Sequence, residues 1–167
     1  MPDRKSVAGP VPAALYESLA RHTTLTLAYC DEEGPGACAV DYATRPGPAA
    51  TLLFTSAAAT RHGRRLHSRD PRCAFTIQQD GQDWSRLTGV QGTGSCHLLT
   101  GPDREQALAV YESAYPFVAA TPELRTALSG ADLWELRPDW LRLIDNSRGF
   151  GHKQEWAAPG RAQDVGR

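Results

Sequence analysis

Thr55, Ser56 and Thr60 place three hydroxyls just ahead of Arg61 in the stretch Leu52–Cys73, LLFTSAAATRHGRRLHSRDPRC. The stretch opens with apolar residues of strand type. It passes through a turn of small residues and enters a segment carrying Arg61, Arg64, Arg65, Arg69 and Arg72. A strand end, hydroxyls and then a helix start can hold a phosphate, because the first turn of a helix offers unpaired N–H groups and the positive end of its dipole. Arginine adds planar, charge-assisted hydrogen bonds. The same arginines also suit a solvated helix face, since the chain has only two lysines, Lys5 and Lys153, and arginine is its ordinary cation.

The elements that must position these residues are mostly strands. The pattern predicts a helix from Pro12 to Arg21 or His22 with Leu15, Tyr16 and Leu19 on one face. Residues 23–30, 37–44 and 51–56 read as strands, the first two forming a hairpin across the turn 31–36. The arginine helix follows and stops before Pro71. Residues 72–79 form a fourth strand with Cys73, Phe75 and Ile77 facing inward, and 85–100 a long fifth strand carrying Gly89, Gly92 and Gly94. Glycines inside a strand mark bulges, bends or close approach of another backbone or a ligand. Helices are expected over 101–116 and from Thr121 to Gly130, then two last strands over 133–138 and 140–146. Helices are too few to alternate with the strands, which excludes a doubly wound parallel sheet. The expected class is mainly β with peripheral helices (α+β), an antiparallel split barrel. A flexible arm over 1–11, one domain over 12–156 and a flexible tail over 157–167 complete the division.

The bulk composition sets limits. The 167 residues suit one domain with a proper core, at 41% hydrophobic and 22% charged. A net charge of −1 argues against a nucleic-acid partner. No apolar run approaches a membrane span, and MPDRKSVAGPVP lacks the apolar core of a signal peptide, so a cytoplasmic protein is expected. Cys30, Cys38, Cys73 and Cys96 form no C-x-x-C pair and read as buried free thiols. His22, His62, His67, His97 and His152 show no metal-ligand spacing, and no metal site is expected.

The element order, with the Leu52–Cys73 stretch, resembles the pyridoxamine 5′-phosphate oxidase-like flavin-binding split barrel. Thr60-Arg61-His62, then Gly89-Val90-Gln91 with Gly94, then Asp145-Asn146, Gly149-Phe150-Gly151, Lys153 and Trp156 resemble the YhbP-like bacterial branch of that family. The resemblance covers about residues 12–156. It implies FMN as cofactor, a homodimer with the flavin at the subunit boundary, and redox chemistry on a small-molecule substrate that it does not name. It implies that Phe54, Thr55 and Ser56 line the ribityl-phosphate and that Thr60 and Arg61 grip the phosphate, with His62 where relatives place a lysine. Val40, Asp41 and Tyr42 would run beside the flavin ring, Gln91 would approach it from the fifth strand, and Phe150 and Trp156 in the tail would close over it. No catalytic side chain is assigned. The alternatives are a non-catalytic protein that binds or carries flavin or haem, with His152 as a candidate haem ligand, and a deazaflavin-dependent reductase.

Overall fold

A computed structural model describes residues 9–68 and 70–159. Its centre is an antiparallel sheet in the order β3-β2-β1-β4-β5-β6-β7, closed into a six-stranded barrel where β3 also pairs with β6. The strands are β1 (Thr24–Asp31), β2 (Gly34–Thr44), β3 (Leu52–Ser56), β4 (Arg72–Gln78), β5 (Thr88–Leu98), β6 (Asp132–Asp145) and β7 (Lys153–Ala157). The helices are α1 (Ala13–Arg21), α2 (Arg61–Leu66), α3 (Gly101–Ala114), α4 (Pro116–Ala120) and α5 (Pro122–Gly130). The expected split-barrel class is therefore observed.

Two apolar cores follow from period-two alternation on the strands. Inside the barrel, Leu25 and Leu27, Cys73, Phe75 and Ile77, and Leu141 and Leu143 meet Leu15 and Leu19 from α1. The Tyr42 hydroxyl donates to the Leu19 carbonyl at 2.6 Å and fixes α1 to the barrel. The second core lies outside, where α3 and α5 cover Ala43, Leu53, Leu99 and Leu133. Tyr115 joins the two layers, its one hydroxyl proton directed to the Tyr42 carbonyl at 2.6 Å with the Thr23 carbonyl beside it at 3.0 Å. Helices α3 and α5 therefore cover the outer face of the sheet around β3, the end of β2 and the first half of β6.

The structure corrects several sequence expectations. The two last strands are one, β6, which runs straight through Pro138. The register against β5 shifts between Thr93 and Gly94, with Gly94 opposite Pro138 and Thr93 opposite Trp140. A bulge is where a strand tolerates proline, because the ladder there has no need of its N–H. A β-carbon on Gly94 would lie 2.3 Å from the Arg137 carbonyl oxygen. Gly94→Ala should therefore destabilise the fold by about 1–3 kcal/mol, the range for overpacking; urea melts at constant m-value would measure it. The helix expected over 101–116 stops at Ala114, because Tyr115 precedes Pro116 and leaves helical backbone at φ −126° and ψ 67°, and α4 is an extra turn. The arginine helix is only six residues long.

The ends of the domain also differ. Residues 1–8 and 160–167 fall outside the described residues, but the rest of the expected arm and tail is tied down. Val11 is buried and donates to the Pro48 carbonyl. The Trp156 indole donates to the Gly9 carbonyl at 3.0 Å. β7 pairs with the second half of β6 as far as Ala157, and the Ala158 N–H reaches the Asp139 carbonyl. All four cysteines are free, but only Cys73 and Cys96 are buried; Cys38 is half-buried and Cys30 exposed.

Candidate functional site

The turn after β3 is built as its residue types require. Thr60 caps α2, its hydroxyl accepting the Gly63 N–H at 3.0 Å. That hydroxyl donates to the Ala57 carbonyl at 2.8 Å, and Ser56 lies 3.1 Å from it. A β-carbon on Gly63 would meet the Ala57 carbonyl oxygen at 2.4 Å, so only glycine lets the turn close this tightly. The Thr60 hydroxyl is thus committed to the turn. The N–H groups of Arg61 and His62 have no acceptor among the described residues, as expected of a first helical turn.

Arg61 is held by Asp31, a residue whose surroundings in the sequence mark only a turn. β1 and β2 join through Glu32 and Glu33, with Asp31 opposite Gly34. Asp31 accepts the Glu33 N–H at 2.9 Å, then receives Arg61 in a two-point pair, Nε at 2.8 Å and Nη2 at 2.7 Å. Arg61 also donates to the Gly34 carbonyl at 3.2 Å and lies against the Tyr29 ring. The Arg61 hydrogen bonds hold the Asp31 carboxyl below the usual carboxylate range. His62 is half-buried and faces Tyr29; burial pulls its imidazole pKa down, so it is neutral at pH 7. It does not supply the charge that a lysine would.

The other expected site residues divide by which side of the sheet they face. Val40, Tyr42, Phe54 and Trp156 are buried in the barrel core. Their side chains are structural, and they could meet an outside ligand only through backbone. Thr55 faces the opposite way, under α3, on the side of Tyr111. Asp41 stands on the outer face and accepts from Thr24 at 3.1 Å. Gln91 is also on that face, in a row with Ala39, Thr26, Thr76 and Arg142. Phe150 is exposed in the loop before β7.

These residues do not converge within one chain. Thr26, in the Gln91 row, and Asp31, which holds Arg61, are five residues apart on β1, a span of about 17 Å. The phosphate-type turn sits at one end of these strands, and Gln91 and Phe150 lie toward the other. Among the described residues no helix is long and apolar enough to cross a membrane.

Comparison with known proteins decides the family. The model of the pyridoxamine 5′-phosphate oxidase family matches residues 11–145. The chain belongs to this family. It is 30% identical over 106 residues to the UPF0306 protein YhbP of Salmonella typhi, a match spanning 64% of this chain and 66% of that protein, just under two thirds of its length. Among solved structures, a haem-binding protein from Mycobacterium smegmatis superposes with a TM-score of 0.67 at 22% identity, covering 88% of this chain and 59% of that one. An FAD-binding protein from Mesorhizobium loti gives 0.63 at 14% identity over 80% of this chain and 94% of that one. At these identities the superpositions speak for the fold alone.

The residues at the α2 turn fit a phosphate in one particular way. Two free N–H groups point from the helix start, and a guanidinium stands beside them with its fork already taken by a carboxylate. An incoming phosphate would have to displace Asp31 from Arg61.

Proposed function

We propose that the protein is an FMN-dependent oxidoreductase acting on a small molecule as a homodimer. The observation that carries this reading is the Thr60-capped turn, with its two free N–H groups and adjoining Arg61, in the place after β3 where this family holds a flavin phosphate. When bound, the flavin supplies hydride or single-electron transfer. The chain's own part is to fix it. The N–H groups of Arg61 and His62 would hold phosphate oxygens, and Arg61 would neutralise their charge in exchange for Asp31.

The dimer is supported by the separation of the site into two ends and by the face left bare between them. Across β2, β1, β4 and β5 that face presents Ala37, Ala28, Ala74 and Thr93 in one row and Ala39, Thr26, Thr76 and Gln91 in the next. Small side chains allow a second sheet to approach closely. A two-fold partner could then set its Gln91 and tail against the α2 turn of the first chain.

The test is direct. Protein reconstituted with FMN and passed through a desalting column should keep a flavin spectrum, and sedimentation velocity should give a dimer. A colourless eluate would refute the reading. Haem is the second reading, favoured by the likeness to the M. smegmatis haem-binding protein and by His152, whose ring makes no hydrogen bond among the described residues. A Soret band lost in His152→Ala would select it. Retention of deazaflavin without FMN would select that cofactor.

A further inference from the structure

Two of the largest side chains left in water lie together. Trp84 is 73% exposed and Phe150 80% exposed. Their rings meet edge to face, with centroids 5.7 Å apart. The segments that carry them are fastened. Trp84 opens a 3₁₀ turn, Trp84–Arg86, in which the Asp83 carboxylate accepts from the Ser85 N–H and hydroxyl, both at 2.9 Å. The turn Asn146–Arg148 repeats the device, with Asp145 accepting from the Ser147 N–H at 3.1 Å and hydroxyl at 2.6 Å. Asn146 ties the two turns together. Its side-chain amide donates to the Trp84 carbonyl and accepts the Gly151 N–H, and its backbone N–H donates to the Leu87 carbonyl, all at 2.9 Å. Phe150 sits between Gly149 at φ +124° and Gly151 at φ +74°, backbone that other residues adopt only with strain. The fold thus fixes two aromatic rings in solvent, against the hydrophobic effect.

Beside this pair, where the Leu87 N–H donates to the Trp84 carbonyl, Leu87 and Ile144 line a cleft of about 350 Å³. Gln78, Gln79, Gly89 and Gln91 line it further, and Asp80 is the only charged residue on its described wall. The side-chain amides of Gln78, Gln79 and Gln91 make no hydrogen bond among the described residues, whereas Gln82 uses both ends of its amide on the Gln79 carbonyl and the Thr88 backbone. Aliphatic and glycine walls suit a flat ring. Free amides suit N–H and C=O groups on its edge, and a lone acid disfavours an anion. The volume is at the small end of ligand sites, enough for roughly one or two rings.

We infer that the Trp84–Phe150 pair and this cleft bind an uncharged, planar nitrogen heterocycle with an amide-type edge. As the second reactant of the flavin reaction this ligand rests on the reading above; the binding itself does not. The probe is lumazine, a two-ring heterocycle with an imide edge, at a pH where it is neutral, followed by calorimetry and by tryptophan fluorescence. Trp134 and Trp156 are buried and Trp140 is half-buried, so Trp84 is the indole most open to quenching.

The wild-type protein should bind lumazine, and Trp84→Ala and Phe150→Ala should each weaken it by about tenfold or more, as loss of a stacking side chain does. Thermal melts should not move, since both side chains are exposed. Lumazine should bind the FMN-loaded protein as well as the free one, and Arg61→Ala should weaken FMN alone, which separates failure of this site from failure of the flavin reading; displacement of lumazine by FMN would make the cleft the flavin's own ring site and overturn the inference. No binding to the wild type, or unchanged binding in both aromatic variants, overturns the inference. So does a change of association state in those variants without loss of lumazine, which would make the pair a subunit contact.

Discussion

Replacing both Arg45 and Arg137 by alanine is expected to cost the fold about 3–5 kcal/mol at pH 7, the range for stranding one member of a buried ion pair. Glu135 on β6 is only 5% exposed, and both its oxygens are engaged. One accepts from Arg45 at 2.9 Å and Thr51 at 3.2 Å; the other accepts from Arg137 at 2.6 Å. Burial alone would push the carboxyl up, but hydrogen bonds and charge from Arg137 and Arg45 outweigh it, and the net shift is down.

The sign of the pH dependence follows. With its folded value depressed, Glu135 stabilises the wild type above the ordinary carboxylate range, and that contribution is lost as pH falls through the folded value. In the double variant only burial and Thr51 remain, so the folded value rises. The variant is then most stable below the unfolded value and loses stability as pH climbs. Denaturant melts should show the gap between the two proteins narrowing from pH 7 toward roughly pH 4. Adding Glu135→Gln to the double variant should recover much of the loss at pH 7. An equal deficit at both pH values would show that the arginines contribute packing rather than charge.

What the sequence discloses depends on how local the signal is. β4 was readable because Cys73, Phe75 and Ile77 alternate with polar residues, and all three are buried. Gly92 and Gly94 were readable as close approaches. The Phe75 ring lies where a β-carbon on Gly92 would stand, and Gly94 faces the Arg137 carbonyl. Alternation could also have shown that Val40 and Tyr42 flank the outward Asp41 and must point inward; the resemblance picks segments, and the pleat decides which side chains serve them. β6 reads as two strands because Pro138 looks like a break until the bulge opposite it is known. The Asp31–Arg61 pair and the Trp84–Phe150 contact leave no local trace, since each joins residues far apart in sequence that only the pairing of neighbouring strands brings together.

Asp31→Asn is expected to tighten FMN binding several-fold, while Arg61→Ala should weaken it roughly ten- to a hundredfold, as for a lost hydrogen bond to a charged group. Both effects come from one contact. The fork of Arg61 that would clasp a phosphate is occupied by the Asp31 carboxylate at 2.8 and 2.7 Å, so part of the phosphate's attraction goes to displacing it. An amide at position 31 is a weaker competitor. Once Arg61 is gone there is nothing to release, so the Asp31→Asn/Arg61→Ala double variant should bind like Arg61→Ala alone, a non-additivity that fluorescence titration would measure. Acidification provides a second check. Because Arg61 holds the Asp31 carboxyl below the usual range, the pair persists through that range and opens only under more acidic conditions. The affinity ratio of Asp31→Asn to wild type should stay constant down to roughly pH 4 and shrink toward one below it. Titration of the phosphate affects both proteins equally and cancels in the ratio. Additive effects of the two substitutions, or a ratio insensitive to acid, would mean that Arg61 serves only to pin the β1–β2 hairpin and that the phosphate is held by backbone N–H groups alone.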